Sequence, residues 1–192
     1  MPTDSSGTLR RWFLLIYRVS QEPPGRRTYV WRQLKGLGAV YLQQAAAILP
    51  DRPEARRALD ALAERIRADE GEVSLLETTS PALEWEQGLI DRFNTLRDAE
   101  YAELGKALER FEDDIRRETR KGKFTFAELE DVESDWEKLH RWQTRIEARD
   151  YFGAPDRQRL VEALRRGATE LADFATVVEA HEAIDRPESS DG

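Results

Sequence analysis

Between Ala39 and Pro50 run twelve consecutive residues without a charge, in a chain of 192 residues of which 35% are charged. Such a stretch belongs in an interior. Its short apolar groups predict two short strands turning near Gln43 and Gln44, or one long bent strand. The neighbouring segments supply company for it. Trp12 to Val19 is a nearly continuous apolar run rich in aromatic and β-branched residues, which predicts a buried strand. Pro23, Pro24 and Gly25 break the chain. A helix follows from Arg26 to about Leu37, with Val30, Leu34 and Leu37 inward and Gly38 placed for a left-handed cap. Asp51, Pro53 and Glu54 form a helix-start signal, with Asp51 as N-cap, for a helix to about Asp69 that buries Ala55, Leu59, Leu62 and Ile66. Gly71 stops it, and Glu72 to Thr78 reads as a fourth strand. The expected class is α+β, and the order β-α-β-β-α-β is that of a ferredoxin-like sheet domain.

Alternation along the first strand puts Phe13, Leu15, Tyr17 and Val19 on one face and Trp12, Leu14, Ile16 and Arg18 on the other. Two helices cover one sheet face. The second face is strongly apolar too, which favours cover by the rest of the chain or by a second subunit over an exposed platform for stacking bases.

Beyond Ser80-Pro81, read as N-cap and first helical residue, the pattern is helical. One helix is expected to about Lys121, with Trp85, Leu89, Phe93, Leu96, Leu104, Leu108, Phe111 and Ile115 as its apolar stripe and Gly105 as a point of interruption. Gly122 ends it. Thr125 and Glu128 form a capping box, and Phe124 with Leu129 a hydrophobic staple. That helix runs to about Asp150 and buries Leu129, Val132, Trp136, Leu139 and Ile146. A turn at Phe152–Pro155 leads to a last helix, to about Ile184, with Leu160, Leu164, Leu171, Phe174 and Val178 inward. Short connections predict a three-helix antiparallel extension. The expected organisation is a loose arm over residues 1–9, a ferredoxin-like domain over 10–79, a helical domain over 80–184 and a disordered tail over 185–192.

Several function classes have no carrier. Without cysteine there is no disulfide scaffold, thiolate zinc site or thiol redox chemistry. His140 and His181 stand alone, outside metal-ligand spacing, and nucleophile-elbow, Walker and dinucleotide-binding patterns are missing. No enzyme activity, metal or cofactor is expected. The first residues are too polar for a signal peptide, and no apolar run approaches the ~20 residues of a membrane span. A cytoplasmic protein with no membrane partner is expected.

Charge is distributed unevenly. Residues 8–67 hold 12 Lys and Arg against 5 Asp and Glu, whereas residues 68–192 hold 18 against 32. The basic part suits an anionic partner, or docking on the acidic remainder.

Four segments in order, "LLIYRV", "RRTYVWRQLKGLGAVYLQQ", "RRETRKGKFTFAELED" and "RIEARDYFGAP", resemble the N-terminal domain of the ChrB chromate-resistance family, over about residues 12–180. The resemblance implies a chromate-responsive regulator of a chromate efflux operon, with a regulatory or DNA-binding role for this domain. It also implies a second, C-terminal ChrB-type domain, here a separate partner or a missing part. The first half is also similar to the central domain of the phenylacetate repressor family and to the small CRISPR-associated nuclease of the adaptation complex. The nuclease's metal-holding Asp has no counterpart where the first strand ends at Tyr17-Arg18-Val19-Ser20.

Two basic clusters are the candidate DNA- or anion-binding residues. In the first, Arg27, Trp31 and Lys35 share one helical stripe, with Arg26 and Arg32 beside it and Arg18 at the end of the first strand. Guanidinium forks beside an aromatic suit phosphate or chromate oxygens. The bland reading is a solvated face. In the second, Arg116, Arg117, Arg120 and Lys121, with Lys123 and the Thr119 hydroxyl, gather at a helix end, where basic side chains also complement the dipole. Arg145, Arg149, Asp150 and Tyr151 read as an ion-pair lock on the turn or as part of a small pocket. Two functions stand side by side. One is a DNA-binding or chromate-sensing regulator. The other is a non-enzymatic interaction module whose basic face docks on acidic helices, its own or those of a homodimer partner.

Overall fold

The computed structural model describes residues 9–20, 22 and 24–185. The arm up to residue 8, Pro23 and the tail 186–192, with the expectations attached to them, lie outside the described residues.

The apolar run at the start forms β1 (Arg11–Arg18). After the turn at Pro24-Gly25 comes α1 (Arg26–Gly36), which buries Val30 and Leu34. Gly38 closes it at φ +75, the left-handed conformation a side chain would resist. The uncharged stretch is two strands, β2 (Val40–Gln43) and β3 (Ala46–Pro50), turning at Gln44-Ala45. Next are α2 (Pro53–Ala68) and β4 (Glu72–Thr79). The sheet runs β2-β3-β1-β4 with every pair antiparallel. Over the described residues the protein is thus α+β, with one four-stranded antiparallel sheet and five helices.

Two expected helix caps are not caps. Pro53 occupies the first helical position, so Arg52 stands at the N-cap and makes no side-chain cap bond. Asp51 instead pairs with Arg11 at 2.8 Å. Ser80 is buried, and its Oγ accepts the Trp12 indole N–H at 2.9 Å. The helix expected to start there, α3 (Leu83–Lys121), begins later.

Contacts divide the chain into two compact units. One holds the described residues up to Leu96 together with Arg149–Phe152, and the other holds Arg97–Ala148 with the described residues from Gly153 on. In the first unit, α1 and α2 cover one sheet face. Phe13, Leu15 and Tyr17 of β1 and Ala47 and Leu49 of β3 meet Val30, Leu34, Leu59, Leu62 and Ile66. On the other face Trp12, Val40 and Ile48 meet Leu89 and Phe93 of α3. Trp12 stacks on Phe93 with ring centroids 5.9 Å apart, and Phe152 lies 5.4 Å from Phe93. This cover ends along β1: Trp12 is buried, Leu14 half-buried and Ile16 43% exposed.

α3 has 39 residues and passes Gly105 without a break. Its stripe differs from the expected one. Trp85 and Leu96 are exposed, whereas Glu86, Arg97 and Glu112 are buried. In the second unit Tyr101, Leu104, Leu108, Phe111 and Ile115 share a core with Leu129, Leu139 and Ile146 of α4 (Phe126–Glu147) and Leu160, Leu164, Phe174 and Val178 of α5 (Arg157–Asp185). Thr125 caps α4, its hydroxyl accepting the Glu128 N–H at 3.3 Å. No helix among the described residues is long and apolar enough to cross a membrane.

Candidate anion-binding surface

Helix α1 reads RRTYVWRQLKG. Burying Val30 and Leu34 against the sheet turns Arg27, Trp31, Arg32 and Lys35 to solvent. The Trp31 indole is 46% exposed, unusual for so large an apolar group, and the Lys35 ammonium lies 5.0 Å from its ring centroid. The Arg26 guanidinium donates to the Glu22 carbonyl at 3.4 Å. Among the described residues no carboxylate lies within ion-pair distance of Arg26, Arg27, Arg32 or Lys35.

The helix is held from behind. The Tyr151 hydroxyl donates to the Leu37 carbonyl at 2.7 Å, and Arg149 donates to the Lys35 carbonyl at 3.4 Å. Arg149 and Tyr151, expected as a lock or a pocket wall, thus hold the last carbonyls of α1. Arg65 of α2 sits over the exposed Tyr29 ring at 6.0 Å, an aromatic that the sequence pattern did not single out, but Arg65 itself pairs with Asp69 at 3.0 Å. Below Arg27, the Tyr17 and Tyr41 hydroxyls are 3.1 Å apart. Burial pushes the Tyr41 hydroxyl well above its usual pKa, the Tyr17 bond adds to this and the Arg27 charge opposes it. Sequence offered no signal for this pair, because Tyr41 lies in a stretch read only as strand.

The remaining candidate cations, Arg120 apart, are engaged. Arg18 pairs with Glu72 at 2.6 Å. Arg116 reaches Glu170 at 2.7 Å, and Glu112 and Asp113 at 3.4 and 3.5 Å. Arg117 pairs with Asp114 at 2.6 Å and Lys121 with Glu118 at 2.9 Å. Lys123 approaches Glu128 at 3.7 Å. Arg120 lines a cavity of about 390 Å³ with Arg116 and Thr119, but Glu170 and Asp173 line it as well. The Thr119 hydroxyl donates to the Ile115 carbonyl at 2.9 Å. Carboxylates in the lining and a hydroxyl proton already committed make this a poor oxyanion pocket. His140 packs edge-on to Trp136 and His181 lies over Phe124. No group of three candidate metal ligands occurs among the described residues.

The class these features define is a small α+β domain that presents one cationic, aromatic-bearing helix to solvent. Residues 27–184 match the family described as Protein ChrB, N-terminal, and the chain belongs to that family. Over 116 residues it is 28% identical to Protein ChrB of Cupriavidus metallidurans, a match that takes in 52% of this chain and 36% of that relative. The chain therefore spans little more than a third of the length of the curated relative it matches.

Proposed function

We propose that the chain is the N-terminal region of a chromate-resistance regulator, and that it acts by laying α1 against the phosphates of DNA. The order β1-α1-β2-β3-α2-β4 supports reading residues 10–79 as a ferredoxin-like domain, with α3, α4 and α5 as its helical extension. Chromate is the effector that family membership suggests, and a C-terminal ChrB-type domain is the natural partner. The observation that carries the reading is selective pairing. Arg18, Arg116, Arg117 and Lys121 hold carboxylates and Arg120 lines a cavity shared with Glu170 and Asp173, while the four cations of α1 hold none among the described residues. Guanidinium groups left in water beside an open indole are ready for a polyanion.

The rival, an interaction module whose basic face docks on acidic helices, has the charge asymmetry in its favour. A mobility-shift series on the promoter of the chain's own operon separates the two. If α1 neutralises about three or four phosphates, the logarithm of affinity falls with the logarithm of salt at a slope of about −3 to −4. The double variant Arg27→Ala, Lys35→Ala lowers that slope by about 2. Absence of binding at low salt, or an unchanged slope in the variant, refutes the assignment.

A further inference from the structure

We infer that β4 is a pairing edge for a second copy of this chain, with Leu76 on the two-fold axis of the pair. The inference is independent of the DNA reading. Among the described residues β4 is bonded on one side only, to β1, over the full run from Arg11↔Thr79 to Arg18↔Glu72. It is eight residues long, whereas the opposite edge, β2, has four residues and a register shift. A long open edge is a template for another strand, and soluble proteins guard such edges with charge, proline or a bulge.

Here the guard is disarmed. β4 contains no proline and no lysine, and both of its carboxylates are neutralised from within: Glu72 by Arg18 and Glu77 by Arg56. Beside the edge lies apolar surface. Leu76 is 47% exposed, and its register partner Leu14 is half-buried. Next along β1 is the exposed Ile16, opposite Ser74. These side chains share the sheet face that Leu89 and Phe93 leave uncovered at this end.

Strand alternation fixes the register of such a pair, and in that register the edge is complementary to itself. When two identical antiparallel edges join about an axis through the sheet, side chains stay on their own faces only if one residue meets its own counterpart. Centring on Leu76 sets it against the partner's Leu76. Ser74 then faces the partner's Thr78, Val73 the partner's Thr79, and Leu75 the partner's Glu77. No carboxylate meets a carboxylate, and the exposed leucines close on each other. The result is a continuous eight-stranded antiparallel sheet.

Sedimentation velocity on the 192-residue chain, with Leu76→Glu and Leu76→Lys, tests this. The native chain is expected at twice the monomer mass, dissociating on dilution. Each variant is expected as a monomer with an unchanged circular-dichroism spectrum, because a like charge facing itself weakens pairing by at least about tenfold. An equimolar mixture of the two variants restores the dimer, because glutamate then faces lysine across the axis. A native chain that stays monomeric at every concentration overturns the inference. So do variants that remain dimeric, or a mixture that fails to re-associate.

Discussion

Gly167 of α5 faces Trp136 of α4 so closely that a Cβ at position 167 would lie 2.8 Å from the indole Cζ3. The indole has little room to retreat, since it stacks on Phe111 at 5.3 Å and meets His140 edge-on at 4.7 Å. Alanine normally stabilises a helix interior by ~1 kcal/mol over glycine. At Gly167 the sign reverses, and Gly167→Ala is expected to cost about 1–3 kcal/mol through overpacking. Gly105→Ala, with open space around it, is the control and gains up to ~1 kcal/mol. Urea unfolding of the two variants decides the point, and equal stabilisation by both contradicts it.

Trp12 is wholly buried, and its indole N–H is bonded to the Ser80 hydroxyl. Ser80→Ala strands that donor away from water and is expected to cost about 1–3 kcal/mol. In a Trp12→Phe background the same change costs much less, because no donor is left. A double-mutant cycle by denaturant unfolding measures the difference, and additive effects would dismiss the bond as a contributor.

Tyr41 contributes a pH dependence of fixed sign. The fold raises its pKa above the ordinary 10.0, first through burial and then through the Tyr17 hydroxyl. The unfolded chain therefore releases this proton first. The associated stability is present below pH 10 and is lost as pH rises above it. In melting curves taken from neutral into alkaline solution, Tyr41→Phe is expected to lose less stability above that point than the native chain.

Arg27 and Arg116 are both exposed arginines, but they differ in what they hold. Arg116→Ala breaks the pair with Glu170 and leaves nucleic-acid affinity unchanged. Arg27→Ala lowers affinity and reduces the salt slope by about 1. Equal losses in the two variants, measured by fluorescence anisotropy over a salt series, would assign binding to bulk charge instead of to α1.

Sequence patterning located the four strands and five helices of the described residues to within a few residues, because apolar runs and Pro-Gly breaks act locally. Its misses have specific causes. From Phe93 the buried stripe of α3 steps by four to Arg97 and again to Tyr101. A reading that follows leucines steps by three to Leu96, which is exposed. Asp51 and Ser80 carry the chemistry of caps, but Arg11 and Trp12, far off in sequence, engage them first. Basic clusters look alike as strings. Only the register of neighbouring turns shows that Arg116, Arg117 and Lys121 have carboxylates one turn away on their own helix, whereas the first turn of α1 has no acidic residue at all. The Arg27 stripe was therefore visible in the sequence, and its distinction from the second cluster was not.

The ammonium of Lys35 resting over Trp31 gives this surface an optical signature of its own. A cation held against an indole perturbs its excited state, and an incoming polyanion competes for that cation. Binding of a polyanion to α1 would therefore register in Trp31, one of the chain's five tryptophans, with no dye needed to see it.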